Sequence, residues 1–239
     1  MRMTNTTYDH CMTSMLYLSS SGLADDRALL TASSDKARAL VVLNALDGTS
    51  ARRQEAFDHE AAGLASLGYE CQELDLRDHF GDAENLAAAL AQAQLVWVAG
   101  GNTFVLARAT ALSGFDTAVT QVRANQELTY AGYSAGACLA GPDLQGIEFM
   151  DDAMFVPDGY STDVETRTLR LIDVRIVPHW KSQSPESAGA SHAAKFLKKA
   201  RLQFRCLKDG ETYVVGVSSS NSGADELAMR MATMPHLHC

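Results

Sequence analysis

No stretch of this sequence holds the roughly 20 consecutive apolar residues that a bilayer-spanning helix needs. Its first residues also lack a continuous apolar run of signal-peptide type, so the expectation is a cytoplasmic protein with no membrane partner. Positive charge is in deficit: 20 Lys and Arg stand against 29 Asp and Glu, a net charge of −9. Nucleic-acid binding requires clustered cations. The one basic cluster, Lys195, Lys198, Lys199, Arg201 and Arg205, follows helical spacing and reads as a solvated face, so nucleic acid is not expected as a partner. Cysteine is sparse and irregular, with Cys11, Cys71, Cys138, Cys206 and Cys239 making five. An odd number without repeated spacing excludes a disulfide framework and points to reduced thiols. Neither G-x-G-x-x-G nor G-x-x-x-x-G-K-[ST] occurs, and no His/Cys spacing suits a structural metal. The closing His236-Leu237-His238-Cys239 reads as a frayed tail. The expectation is therefore no cofactor and no metal.

The chain has apolar material instead. Hydrophobic residues make up 46% of 239, enough for one sizeable core. Short apolar runs alternate with helical patterns. The strand candidates are Met15–Leu18, Ala39–Leu43, Glu70–Leu74, Leu95–Ala99, Leu128–Ala131 and Ile172–Val177, and Arg52–Leu67, Glu84–Ala93 and Val105–Ala111 read as helices. Such alternation predicts an α/β fold with a mainly parallel sheet between two helical layers. Residues 1–14 read as a loose extension and 15–239 as a single domain. Asp143 to Thr168, the least regular interior stretch, is the expected lid or pocket wall.

One segment carries chemistry. Gly132-Tyr133-Ser134-Ala135-Gly136 follows the apolar run Leu128–Ala131 and precedes a helical pattern, giving G-x-S-x-G at a strand-to-helix turn. There a serine hydroxyl is pushed out toward a base, while a helix-capping serine is the alternative. A nucleophilic serine needs a histidine and an orienting carboxylate. Of seven histidines, His179 alone follows a strand candidate that stops at proline, where α/β folds collect functional groups. The carboxylate candidates downstream include Glu186, Asp209, Glu211, Asp225 and Glu226. Asp209 precedes Gly210 between the apolar segments Phe204–Leu207 and Tyr213–Val217, and Asp-Gly is also a hairpin signal, so Asp209 and Glu211 both remain in play. The order serine, histidine, acid matches neither the α/β-hydrolases nor the chymotrypsin and subtilisin arrangements. Upstream, Leu95–Ala99 leads into Gly100-Gly101-Asn102-Thr103-Phe104, whose glycine N–H groups suit a second oxyanion donor.

Taken together, the Gly100–Phe104 loop, the Gly132–Ala137 elbow and Pro178-His179-Trp180 resemble peptidase E, the serine aspartyl dipeptidase family. Ser19-Ser20-Ser21-Gly22-Leu23 is similar to that family's N-terminal loop. The resemblance covers about Met15 to Val217. It implies a three-layer fold like the class I glutamine amidotransferases (flavodoxin-like), with Ser134 as nucleophile and His179 as base. It implies Asp209 as third member, at the position where some relatives carry glutamate. Gly101 and Ala135 would supply the oxyanion hole. Gly100, Asn102, Arg170 and Arg175 would bind substrate, a short peptide with N-terminal aspartate; Lys181 is a further candidate cation. A cyanophycinase-like peptidase, or a non-catalytic binding or stress-response protein on the same fold, are the alternatives. Homo-oligomerisation is left open.

Overall fold

The computed structural model describes residues 14–49 and 53–216; the expected extension at residues 1–14 and the closing segment lie almost wholly outside them. Six strands form the main sheet in the order β3-β2-β4-β5-β1-β8. These are β1 (Leu16–Ser19), β2 (Ala37–Val42), β3 (Tyr69–Glu73), β4 (Leu95–Val98), β5 (Thr129–Tyr133) and β8 (Thr212–Val215). All pairings are parallel except β8 against β1, which is antiparallel. β6 (Arg175–Val177) and β7 (Phe204–Cys206) form a separate parallel pair.

The central strands are buried on both faces, so they read as continuous apolar runs. Period two still sorts them. Leu16, Leu18, Val96, Val98 and Tyr130 pack on one side, with α2 (Ala83–Leu90), α3 (Thr103–Ser113), α4 (Phe115–Asn125) and α5 (Ala135–Leu139). Tyr17, Val41, Trp97 and Ala131 face the other side, against Leu64 of α1 (Arg53–Ala65). A third cluster packs α6 (Ser187–Lys199) onto β6 and β7. The result is the expected three-layer α/β/α architecture.

Two expectations change. The expected strand Ile172–Val177 is only Arg175–Val177, because Leu171 and Ile172 donate their N–H groups to Ala140 O and are committed to the loop after α5. Asp209-Gly210 joins no hairpin: β7 pairs with β6 and β8 with β1, in different sheets. The turn is closed by Glu211 N–H donating to Lys208 O, with Gly210 at φ +87°. Cys71 and Cys138 are free thiols. Among the described residues no helix is long and apolar enough to cross a membrane, and no group of His, Cys, Asp or Glu could hold a metal ion.

Candidate active site

Three adjacent parallel strands, β4, β5 and β1, end on the same edge of the sheet, where open α/β sheets form their crevices. β5 runs into Ser134 at the N-cap of α5, with φ 49° and ψ −111°. That backbone is costly for a residue with a Cβ and persists only where the surroundings enforce it. They do so here by close packing: a Cβ on Gly136 would lie 2.2 Å from Val98 O, so only glycine lets α5 start against the end of β4. Ser134 N–H donates to Ser19 O at 3.2 Å, tying the elbow to the end of β1.

His179 arrives from the smaller sheet. β6 and β7 run parallel and continue side by side past their ends, with Leu207 N–H donating to Val177 O and Trp180 N–H to Leu207 O. This register brings His179, two residues past β6, beside Asp209, three residues past β7. His179 Nδ1 lies 2.8 Å from Asp209 Oδ1, and its Nε2 lies 3.0 Å from Ser134 Oγ. With the proton on Nδ1 donated to the carboxylate, Nε2 is left to accept the serine hydroxyl. His179 also sits at positive φ, +57°. Burial pushes the Asp209 carboxyl up, but hydrogen bonds from Ser20 and His179 outweigh this and hold it below the usual carboxylate range. Glu211 turns away, its carboxylate accepting from Lys208 N–H at 3.0 Å.

The serine and histidine open onto a cleft of about 280 Å³ lined by Gly101, Asn102, Thr103, Ser134, Cys138, Met150, Asp151, Asp152, Pro178, His179 and Glu186. Gly101, at φ +139°, owes its place to glycine alone, since a Cβ would sit 2.4 Å from Ala45 O. Ala135 is buried directly after the serine. Asn102 is absorbed in structure: its Oδ1 caps α3 by accepting from Phe104 and Val105 N–H, and its Nδ2 donates to Asp152 O. Gly100 is covered by the Tyr133 ring and does not line the cleft. The two arginines expected to bind substrate are not brought to it. Arg175 is buried at the start of β6, its guanidinium taken up by a fork with Asp143, Nε to Oδ1 at 2.7 Å, and by Gln203 O, to which its Nη1 donates at 3.3 Å. Arg170 is exposed, in the loop before β6.

Asp151 was not foreseen. It comes from the irregular 143–168 stretch and accepts from the Thr103 N–H at 2.8 Å and from the Thr103 hydroxyl. Burial raises its carboxyl above the ordinary range against those bonds and the nearby His179. Among the described residues no arginine or lysine pairs with it, and Asp152 and Glu186 line the same cleft. The only readable signal was the irregularity of its segment. Cys138, one turn past Ser134, is fully buried; burial pushes its thiol far up, and its Sγ lies 3.4 Å from Ile176 O. A thiol kept protonated is a poor nucleophile.

Comparison with known proteins decides the family. The sequence model of peptidase family S51 matches residues 17–217. The chain belongs to peptidase family S51. It is 32% identical over 126 residues to peptidase E of Escherichia coli O6:K15:H31, covering 53% of this chain and 48% of that protein. It is 30% identical over 119 residues to an uncharacterized peptidase of Listeria innocua, covering 50% of this chain and 54% of that one. The chain spans about half the length of the curated relatives it matches. Among solved structures, a peptidase from an acI-B1 Actinobacterium superposes with a TM-score of 0.60 at 20% identity, over 85% of this chain and 84% of the other. A Listeria monocytogenes EGD-e structure assigned by name to peptidase E gives 0.65 at 21% identity, over 86% and 99%. At such identities these two speak to the S51 fold alone.

Proposed function

We propose that this S51 chain is a serine peptidase that hydrolyses short peptides through Ser134, His179 and Asp209. The observation that carries the reading is the relay of 3.0 Å and 2.8 Å from a serine held in a strained elbow, through histidine, to an ionised carboxylate. In this reading Ser134 Oγ attacks the scissile carbonyl as His179 Nε2 takes its proton. Asp209 stabilises the imidazolium without being protonated. Backbone N–H groups of Ala135 and Gly101 receive the oxyanion. His179 then protonates the leaving amine, and water repeats the sequence on the acyl-enzyme.

Substrate choice follows from charge. Asp151, Asp152 and Glu186 line the cleft, and its described lining includes no lysine or arginine. Carboxylates favour a cation, so the α-ammonium of a free amino terminus is the substrate group this cleft suits. An N-terminal aspartate, implied by the likeness to peptidase E, would place its side-chain carboxylate among like charges. We therefore take the free amino terminus, ahead of the aspartate side chain, as the recognised feature. Hydrolysis of a dipeptide library that varies the first residue, run beside N-acetylated counterparts and a Ser134→Ala control, tests both levels. The reading expects cleavage that depends on Ser134 and is lost on acetylation. Activity confined to Asp-X substrates would restore the aspartate preference, and activity retained by Ser134→Ala would remove the serine mechanism.

A further inference from the structure

A serine run after an apolar strand is an odd ending for β1, since a hydroxyl taken into the interior must find partners. Ser20 is fully buried and finds them on the site itself. Its Oγ donates to Asp209 Oδ1 at 2.9 Å and accepts from His179 N–H at 2.7 Å. Its own N–H donates to Glu211 O at 3.1 Å, holding the turn that presents Asp209. The neighbouring Ser19 O receives Ser134 N–H. The end of β1 thus touches all three members of the relay, from more than a hundred residues away in the chain.

These bonds answer two needs. His179 occupies a left-handed backbone position, and a hydroxyl that accepts its N–H holds it there. The Asp209 side chain is 36% exposed and lies on a turn, where Ser182 Oγ accepts from its backbone N–H at 3.0 Å. Ser20 pins Oδ1, the same oxygen that faces Nδ1. We propose that Ser20 is a positioning residue that sets His179 and Asp209 relative to each other through one hydroxyl. The proposal rests on the serine peptidase reading above.

The test uses the rate of covalent labelling by a fluorophosphonate, which needs an activated serine but no knowledge of the natural substrate. Ser20→Ala is made in the full chain and again in an Asp209→Asn background, with circular dichroism and thermal unfolding confirming the fold. Loss of a hydrogen bond to a charged group predicts labelling slowed roughly 10- to 100-fold in the native background. In the Asp209→Asn background the further loss should be under about threefold, because residues acting as one unit are not additive. Ser20→Cys, which keeps the volume with a weaker donor, should fall between alanine and serine, and it carries the test if alanine does not fold. A folded Ser20→Ala labelled at the native rate overturns the proposal, as does an equal loss in both backgrounds, the mark of a merely structural hydroxyl. If the native chain itself is not labelled at Ser134, the peptidase reading falls and this inference with it. Native labelling with an indifferent Ser20 removes only the inference.

Discussion

Two polar clusters lie toward the same edge of the sheet and are built on opposite terms. Beyond β2 and β3, Asp47, Glu73 and Asp75 surround Arg53, with Arg77 closing on Asp75. Asn44 donates to both Asp47 and Asp75, and Tyr160 donates to Asp47. Every carboxylate there meets a guanidinium. Burial pushes Asp75 up, but hydrogen bonds from Arg77 and Asn44 overcome it and hold the carboxyl at about 2. Among the described residues no guanidinium lines the Ser134 cleft. Asp209 relies on the hydroxyls of Ser20 and Ser182 and on an imidazole, and Asp151 is left with Thr103 and pushed up. Backbone strain is divided the same way: Ser134 and His179 both sit at positive φ. Charge that is fully compensated holds the fold together. Charge left partly uncompensated on a strained frame is what can respond to a substrate.

The contrast is broken most severely by Ser134→Ala. On the proposed mechanism hydrolysis should fall on the order of 10⁴-fold or more with the unfolding midpoint nearly unchanged, since the members of a catalytic triad act as a unit. Steady-state kinetics beside thermal unfolding measure both. Asp209→Asn comes next, lowering kcat by at least roughly a hundredfold, while Glu211→Gln, whose carboxylate serves the Lys208 N–H, changes it little. A severe loss in Glu211→Gln with a mild one in Asp209→Asn would reverse the assignment, and mild effects in both would reduce the triad to a dyad.

Removing a carboxylate from the compensated cluster should do the opposite. Asp75→Asn should leave turnover unchanged and cost about 1 kcal/mol of stability near neutral pH, less than its full shift converts to because water still reaches the group. The sign follows from the direction of the shift. Because the folded carboxyl lies at about 2 and its ordinary value is 3.8, the native chain's advantage is complete above about pH 4 and fades as pH falls through 2. Urea unfolding of both proteins between pH 2 and 7 checks this. Smallest of all is Arg175→Met. If Arg175 only pairs with Asp143, KM for a dipeptide should shift less than about twofold; a tenfold rise would return it to substrate binding.

How legible the molecule was in its sequence follows the same division. The buried strands were readable because apolar runs bounded by glycine leave few alternatives, and β4 and β5 differ from expectation by two residues at most. The elbow and His179 were readable because each sits directly after such a strand. The Asp209 turn was harder. Asp-Gly between apolar segments has the local chemistry of a hairpin, and only the long-range pairing of β7 with β6 and β8 with β1 decides otherwise. Asp151 was marked only by the irregularity of its segment and Ser20 only by the likeness of its loop, and neither signal says what these side chains meet. Thr103, His179 and Asp209 reach them from distant segments, and propensity says nothing about such meetings. The arginines failed for a related reason: Arg175 is near His179 in sequence, but a residue pointing into a β6–Asp143 contact cannot also face the cleft.

The most direct test of the account asks whether Ser134 is the activated group. The full chain is treated with a fluorophosphonate, digested, and the adduct located by mass spectrometry, with a His179→Ala variant treated in parallel. The account predicts a single dominant adduct on Ser134 that forms at least roughly a hundredfold more slowly without the imidazole. A folded chain with no adduct at Ser134, or labelling of Ser134 undiminished in His179→Ala, would contradict it.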